Sequence, residues 1–305
     1  MKKRVFIKTC LRYPGGKSKA LEFLIPKVPS YTEYREPFLG GASVFLRLAQ
    51  LNPNADYWIN DLQYATYAFW NTLYNKPKEM MQYILKQKNK YKNEMEGREL
   101  HKWCRSEINH VDGKDEFLTA CYYYILNKTS FSGLTRIGSY APQAFNSNFT
   151  DNCIFNLPKV SDVMHTVKSL KITNLDYSEL LRDGNEDTFL SLDPPYDIKD
   201  NLYGNNGDMH RNFDHEKFAN DIKQVKLSKW MITYNNNQIL IDRFKDYPQI
   251  LWDLQYTMKS KIRNNENNKS CKLGKELLIL NYEQKEISLL RGNNNLSHAA
   301  NALVL

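Results

Sequence analysis

The sequence predicts an α/β fold, in which a mostly parallel sheet is covered by helices on both faces and interrupted by a smaller helical region. In the first and last parts of the chain, short apolar runs of strand length alternate with amphipathic stretches of helical period. Charged helical stretches replace this alternation between about residues 75 and 160. With 305 residues, 42% of them hydrophobic, the chain is long enough to bury the cores of one α/β domain and a smaller inserted one.

Six segments are predicted as strands because each is short and apolar. They are Tyr34–Phe38, Tyr57–Ile59, Lys171–Asn174, Thr188–Leu192, Trp230–Tyr234 and Leu277–Tyr282. Helices are predicted between these strands and, in the insertion, over Glu79–Lys92 and Asp115–Leu126, whose aromatic face we expect to lie in the core. The expected division is a discontinuous α/β domain (1–74 and 161–290), an inserted domain (75–160) and a tail (291–305).

The bulk properties narrow the class of protein. A net charge of +8 and an isoelectric point near 9.0 favour a polyanionic partner. Lys8 interrupts the apolar run near the start, and no segment approaches the roughly 18 apolar residues of a membrane span, so a cytoplasmic location without membrane contact is expected. Five scattered cysteines indicate reduced thiols, not a disulfide framework or a zinc site: Cys10, Cys104, Cys121, Cys153 and Cys271.

The segment Asp193-Pro194-Pro195-Tyr196 follows a buried strand and is the most specific feature of the chain. The prolines fix their own backbone angles and lack an N–H, so the turn is rigid and extended. The Pro194 carbonyl and the Asp193 carboxylate are then two neighbouring acceptors beside the flat ring of Tyr196. This arrangement suits a planar ring that carries an exocyclic amino group. The alternative is a strand-end turn with a surface aspartate.

A glycine turn between a strand and a helix predicts a nucleotide-type site. Glu36-Pro37-Phe38-Leu39-Gly40-Gly41 lets a ligand approach the backbone, and the following helix adds its N-terminal N–H groups. Asp61 ends the next strand about 20 residues further on, where a ribose diol is held in such sites. Its alternative role is a helix N-cap.

Near the N-terminus, Gly16-Lys17-Ser18 superficially resembles a phosphate-binding loop. That motif requires a further glycine five residues earlier, and Leu11 stands there. We therefore reject a nucleotide triphosphatase. The basic, glycine-turned segment beside Tyr13 suits contact with a carboxylate and with an aromatic ring.

Taken in order, these segments resemble the Dam-type (alpha group) DNA adenine-N6 methyltransferases. The resemblance runs from about Tyr13 to Tyr282 and rests on five motifs at compatible spacing: Tyr13-Pro14-Gly15-Gly16-Lys17, Glu36-Pro37-Phe38-Leu39-Gly40-Gly41, Ile59-Asn60-Asp61, Leu175-Asp176-Tyr177 and Asp193-Pro194-Pro195-Tyr196. It implies a Rossmann-like sheet that binds S-adenosylmethionine (SAM) and an inserted helical, hairpin-bearing domain that binds double-stranded DNA. The implied reaction is methyl transfer to the N6 amino group of an adenine flipped out of the duplex.

The same resemblance implies roles for individual residues. Asp193, Pro194 and Tyr196 are expected to be catalytic, the first two accepting the amino hydrogens and the third stacking on the base. This direct transfer requires no metal ion. SAM is expected to contact residues from all five motifs: Tyr13, Lys17, Glu36, Phe38, Gly40, Asp61, Asp176, Tyr177 and Asp193.

Inside the insertion, the stretch Asn127–Arg136 resembles the β-hairpin with which this family reads DNA. Asn127, Lys128 and Arg136 are the predicted DNA contacts, and Arg136 occupies the position of a family arginine. The stretch Ala141-Pro142-Gln143-Ala144 departs from the pattern of the GATC-specific members, which leaves the recognised sequence open. The alternative is an ordinary surface hairpin with solvated basic residues.

Two other classes stay open. A cytosine-N4 methyltransferase shares the chemistry, since cytosine also carries an exocyclic amine, and a DNA-binding regulator without catalysis would share the fold. Asp193 at the first position of the tetrapeptide disfavours an RNA or protein-glutamine methyltransferase. The resemblance implies a bacterial or phage-encoded protein, for which a cognate restriction endonuclease is a candidate partner. The oligomeric state does not follow from the sequence.

Overall fold

The computed structural model describes residues 5–135, 138–196, 213–255, 273–283 and 303–304. Their strands form a single sheet. The strands are β1 (Glu33–Glu36), β2 (Asp56–Asn60), β3 (Ser169–Thr173), β4 (Thr188–Leu192), β5 (Lys229–Asn235), β6 (Gln249–Gln255), β7 (Leu273–Leu280) and the two-residue β8 (Leu303–Val304). Seven strands form the body of the sheet, and β8 extends the edge next to β6.

The sheet order is β3-β2-β1-β4-β5-β7-β6-β8. The first five strands in this order are parallel, whereas β7 is antiparallel to both of its neighbours, β5 and β6. The chain winds outward from β1 in one direction and from β4 in the other. Ligands of open α/β sheets bind outside the carboxyl ends of the strands at such a reversal. The topology therefore predicts a site where β1 and β4 end.

Helices cover the sheet and fill the insertion. Those of the α/β part are α1 (Leu21–Leu24), α2 (Ser43–Leu51), α3 (Tyr64–Asn75), α10 (His215–Gln224) and α11 (Gln238–Arg243). Those between α3 and β3 are α4 (Pro77–Lys88), α5 (Glu94–Val111), α6 (Glu116–Thr129), α7 (Pro142–Ser147), α8 (Asp151–Phe155) and α9 (Leu157–His165). None of the helices in the described ranges is both long and apolar enough to cross a membrane.

Local sequence explains where several helices begin. The side chains of Asn93, Asp115 and Asp214 each accept hydrogen bonds from backbone N–H groups in the first turn of α5, α6 and α10. Such caps satisfy donors that have no partner within the helix. In α6, Tyr124 is fully buried and stacks on Phe69 of α3 with the ring planes 4° apart. The prediction that the aromatic face of this helix is core is confirmed.

The structure adds elements that the sequence patterns missed. Strand β6 was not predicted, because the apolar run Gln249–Gln255 is interrupted by Asp253, which faces Lys275 of β7. Helix α4 starts before Glu79 and ends before Lys92, the two bounds predicted from the sequence. Its early start agrees with Pro77 in its first turn, where proline is favoured. In place of a regular hairpin, the described residues after α6 form a loop closed by one antiparallel bridge, Ser130 to Tyr140.

Candidate active site

A cavity of about 460 Å³ lies at the carboxyl ends of β1, β2 and β4. The reversal of strand order places it there, as the topology predicts. Its wall contains every residue that the sequence predicted for SAM: Tyr13, Lys17, Glu36, Phe38, Gly40, Asp61, Asp176, Tyr177 and Asp193. These side chains come from five separate segments of the chain, and folding brings all five to one cleft.

The carboxylate of Asp193 is held by two partners. Lys17 Nζ lies 2.7 Å from it and also donates to the Gly15 carbonyl at 3.0 Å. The Thr233 hydroxyl, on β5, donates to Asp193 Oδ1 at 2.8 Å. Lys17 is only 4% exposed, so this ion pair is poorly screened by water. Asp193 is thereby fixed in orientation at the cavity wall.

The rest of the tetrapeptide lies beside this pair. Pro195 contributes to the cavity wall, and Pro194 is buried behind it. The ring centroid of Tyr196 is 5.0 Å from Lys17 Nζ, and its hydroxyl donates to Glu276 Oε2 at 2.5 Å. Tyr196 is the last described residue before position 213.

Glu36 ends β1 as a buried acid on the cavity wall. The Tyr34 hydroxyl and the Phe45 backbone N–H donate to its Oε2 at 2.7 and 3.1 Å. Burial raises the pKa of Glu36 to about 8, because desolvation and the nearby negative charge of Asp193 outweigh the donated hydrogen bonds. A cationic ligand group in the cavity would favour its ionised form.

The glycines of this turn make room for the side chain of Tyr13, which packs directly against the turn. Gly40 has φ +46°, and a Cβ there would lie 2.7 Å from the Tyr13 ring; a Cβ on Gly41 would lie 2.9 Å from Tyr13 Cβ. Asp61 accepts hydrogen bonds from the backbone N–H groups of Gly40 and Gln63 at 2.8 and 2.9 Å. Burial raises the pKa of Asp61 to about 6.

Aromatic rings line another part of the cavity. Phe38 and Tyr177 stack with their centroids 5.6 Å apart, and Phe213 meets Phe38 edge-on. The Tyr177 hydroxyl donates to Asp221 at 2.7 Å, which fixes its ring. Asp176 accepts from the Ser178 N–H and starts the short turn that carries Tyr177. The flat apolar surface suits a planar heterocycle.

The predicted DNA contacts are placed differently. Asn127 is fully buried, accepts from the Arg12 N–H at 2.9 Å and donates to the Arg12 and Gly133 carbonyls at 2.7 and 3.2 Å. These bonds use both ends of its amide, and its role as a DNA contact stays a prediction. Lys128 is 7% exposed and packs toward the Tyr124 ring; desolvation lowers its pKa. Its predicted contact with DNA likewise stays a prediction. Arg136 lies outside the described residues.

Two residues of the site were not predicted from the sequence. Thr233 supports Asp193 from β5, and Glu276 of β7 is fully buried beneath Tyr196. The signal for Glu276 was a single acid in the apolar strand Leu273–Leu280, since a buried carboxyl is costly unless it is paired. A threonine in a strand gives no comparable signal.

The sequence profile of the D12 class N6 adenine-specific DNA methyltransferases matches residues 13–258, which is more than half of the chain. The chain belongs to this family. The predicted family, the α/β fold and the classification as an adenine-specific DNA methyltransferase are thereby confirmed. Members of such a family use SAM in general as their methyl donor.

Curated relatives are similar to this D12 family member at low identity. The type II methyltransferase M.MjaIII of Methanocaldococcus jannaschii is 23% identical over 202 residues, which cover 62% of this chain and 69% of that protein. A DNA adenine methylase of Vibrio cholerae is 27% identical over 204 residues, covering 64% and 66%. The modification methylase StsI of Streptococcus sanguinis is 26% identical over 318 residues, covering 93% of this chain but only 44% of its own length.

Three buried acids in or near the cavity predict a pH-dependent stability of the free protein. Glu36, Glu276 and Asp61 have folded pKa values of about 8, 7 and 6, all above the usual values of carboxyl groups. A raised pKa means that the folded state binds the proton more tightly, so this stabilisation is present at low pH and is lost as pH rises toward 8. We expect the free energy of unfolding to fall by about 1 to 3 kcal/mol between about pH 6 and pH 8.5.

Urea unfolding at a series of pH values measures this dependence. Glu36→Gln removes the acid with the largest upward shift, so the slope above about pH 6.5 should become shallower. The exposed Glu22→Gln serves as the matched control and should keep the wild-type slope. Equal slopes for all three proteins would contradict the placement of a protonated acid at the end of β1.

Proposed function

We propose that this chain is a site-specific DNA methyltransferase that transfers the methyl group of SAM to the exocyclic N6 of adenine in double-stranded DNA. The observation that carries the proposal is the Asp193 carboxylate at the cavity wall, oriented by Lys17 and Thr233 at the end of β4. An oriented acceptor beside a rigid turn and an aromatic ring suits an amino group on a planar base. Membership of an adenine-specific family supports the choice of base.

The cavity residues fit SAM as the methyl donor. The Phe38 and Tyr177 rings offer a surface for its adenine, and Asp61 retains acceptor capacity for the ribose hydroxyls. Glu36 would favour the methionyl ammonium, and Lys17 the end that bears the carboxylate. The volume of about 460 Å³ lies within the range of cavities that take a ligand of this size.

Catalysis rests on how the protein holds the adenine amino group. That nitrogen is a weak nucleophile because its lone pair is delocalised into the ring. Asp193 and the Pro194 carbonyl accept hydrogen bonds from its two N–H groups and favour a more tetrahedral nitrogen, while Tyr196 stacks on the base. SAM, when bound, supplies an electrophilic methyl group on a sulfonium. Positioning and electrostatics therefore provide most of the rate enhancement, with no metal ion and no covalent enzyme intermediate.

The substrate base must leave the duplex to reach this site, at a cost of a few kcal/mol. The net charge of +8 supports binding to the phosphate backbone. We assign recognition to the insertion, residues 75–160, with Arg136 as a reader of guanine through its O6 and N7 edge. Because two relatives are named type II methyltransferases, a cognate restriction endonuclease in a bacterial or phage host belongs to the proposal.

Expression in a bacterial strain that lacks DNA methylation tests the proposal. Modified-base sequencing of its DNA should show N6-methyladenine at one short sequence, and mass spectrometry of the digested DNA identifies the base independently. N4-methylcytosine would instead support the cytosine enzyme. The absence of any methylated base, with intact SAM binding, would support the inactive regulator.

Changes to the cavity should weaken SAM binding without unfolding the protein. Asp61→Asn and Lys17→Gln each remove a charged hydrogen-bonding group, which typically costs about 1.5–3 kcal/mol, or roughly tenfold or more in affinity. Titration calorimetry measures the dissociation constants. Lys19→Gln, at an exposed neighbouring position, is the matched control and should bind as wild type. Unchanged affinity for both site variants would remove the assignment of this cavity to SAM.

A further inference from the structure

Glu276 is a buried acid that the proposed mechanism does not use. It lies on β7, where it faces Asn235 of β5 and Trp252 of β6 in the strand pairing. Its side chain is fully buried, and its Oε2 accepts a hydrogen bond from the Tyr196 hydroxyl at 2.5 Å. Burial of a carboxyl group costs free energy, so we expect Glu276 to have a role that compensates for this cost.

The surroundings of Glu276 connect it to the reacting groups. Desolvation raises its pKa to about 7, and the charge of Asp193 adds to the rise. The charge of Lys17 and the hydrogen bond from Tyr196 act in the opposite direction. Glu276 therefore belongs to the same electrostatic group as the Lys17–Asp193 pair, although it comes from a strand with no motif of its own.

The contact joins the turn after β4 to an interior strand of the sheet. Tyr196 ends the turn after β4, and its ring is approached by Lys17 Nζ at 5.0 Å and by the Tyr234 ring at 6.1 Å. The hydrogen bond from its hydroxyl to β7, an interior strand, ties the far end of the side chain to a fixed point and so limits where the ring can lie. Because the side chain is ordered before a ligand arrives, less conformational entropy is lost when the ligand stacks on it.

We infer that Glu276 is a positioning residue for the methyl transfer: it holds the Tyr196 hydroxyl so that the ring is already in place for the incoming base. This inference rests on the proposed function, in which Tyr196 stacks on the flipped adenine. Glu276 does not contribute to the wall of the cavity. Its effect must therefore pass through the Tyr196 hydroxyl, which makes the inference separable from a direct effect of charge on Asp193 or Lys17.

A double-mutant cycle separates the two routes. Tyr196→Phe removes the hydroxyl but keeps the stacking ring, and Glu276→Leu removes the acceptor. Each should lower the single-turnover methylation rate by about tenfold, and the double variant should lose no more than either single one. Glu276→Gln keeps an oxygen that accepts the hydroxyl, so its rate should stay within about threefold of wild type. Tyr282→Phe, which removes a hydroxyl bound to the Lys27 carbonyl, is the matched control.

Base flipping gives an independent readout. With 2-aminopurine at the target position of the recognised sequence, Tyr196→Phe and Glu276→Leu should change the fluorescence of the bound duplex to the same extent. SAM affinity, measured by calorimetry, should stay within about twofold, which a loss of folding would not allow. Multiplicative rate losses in the double variant, or an equal loss in Glu276→Gln and Glu276→Leu, would overturn the inference in favour of a charge effect.

The outcome also distinguishes this inference from the proposed function. A wild-type protein that methylates no adenine contradicts the proposed function. The Tyr196–Glu276 contact is then tested by urea unfolding of wild type, Tyr196→Phe, Glu276→Leu and the double variant. Non-additive effects of the two changes on the free energy of unfolding support the contact. Additive effects there overturn it, whatever the reaction.

Discussion

Asp193→Ala is expected to lower the methylation rate by about a thousandfold or more. The carboxylate is the charged acceptor for the amino group, and groups aimed at a reacting atom are commonly worth about a hundred- to a thousandfold each. In the free protein the change also leaves Lys17, 4% exposed, without its carboxylate partner. Asp193→Asn is therefore the sharper variant, because it keeps the volume and one acceptor while removing the charge.

Single-turnover transfer of a labelled methyl group to duplex DNA measures this effect. SAM affinity should fall much less than the rate, since the other cavity residues remain. Asp187→Asn is a suitable control, because Asp187 is exposed just before the opposite end of β4. A rate within tenfold of wild type for Asp193→Asn would show that the charge at this position does not assist the transfer.

The second large effect is expected at Gly133→Ala. Gly133 has φ +78°, which costs a residue with a Cβ about 1–2 kcal/mol. A Cβ there would also overlap the backbone oxygen of Arg12, which cannot move aside as a side chain can. We expect a loss of at least about 3 kcal/mol in the free energy of unfolding, or a displaced loop, because the backbone must shift to relieve the overlap.

Gly113→Ala provides a matched control for this change. Gly113 has nearly the same conformation, φ +76°, but a Cβ there would meet nothing within 4 Å. Its replacement should cost only the conformational strain, about 1–2 kcal/mol. Urea unfolding of both variants separates strain from overlap. Similar losses for the two would contradict the close approach of Gly133 to Arg12.

The Gly133→Ala change should also affect SAM binding, because of where Gly133 lies. Arg12 precedes Tyr13, whose ring covers the glycine turn of the cavity, and Asn127 bonds to both Arg12 and Gly133. A shift of the backbone at Arg12 should therefore weaken SAM binding as well as stability. Calorimetry with Gly133→Ala and Gly113→Ala checks this, and only the first is expected to bind SAM less tightly.

The motifs of the cavity could be predicted from sequence because each depends on the backbone conformation of a few neighbouring residues. Gly40 permits the turn, the prolines after Asp193 set an extended chain, and Asp61 follows directly on a strand. Periodicity likewise identified the parallel strands and the buried face of α6. Strand β6 and the short helices α7 to α9 were missed, since short elements with mixed polarity carry little periodic signal.

Sequence alone thus determined the chemical groups of the site and their order along the chain, because turn geometry and strand ends depend on neighbouring residues. Which groups pair was decided only by the tertiary structure. Lys17 meets Asp193 across 176 positions, and Tyr196 meets Glu276 across 80. Asn127, predicted as a DNA contact, accepts a hydrogen bond from Arg12, 115 positions away. Such pairings follow from strand order and helix packing, since a carboxyl or amide in the interior must find its partner among whichever segments the sheet brings beside it.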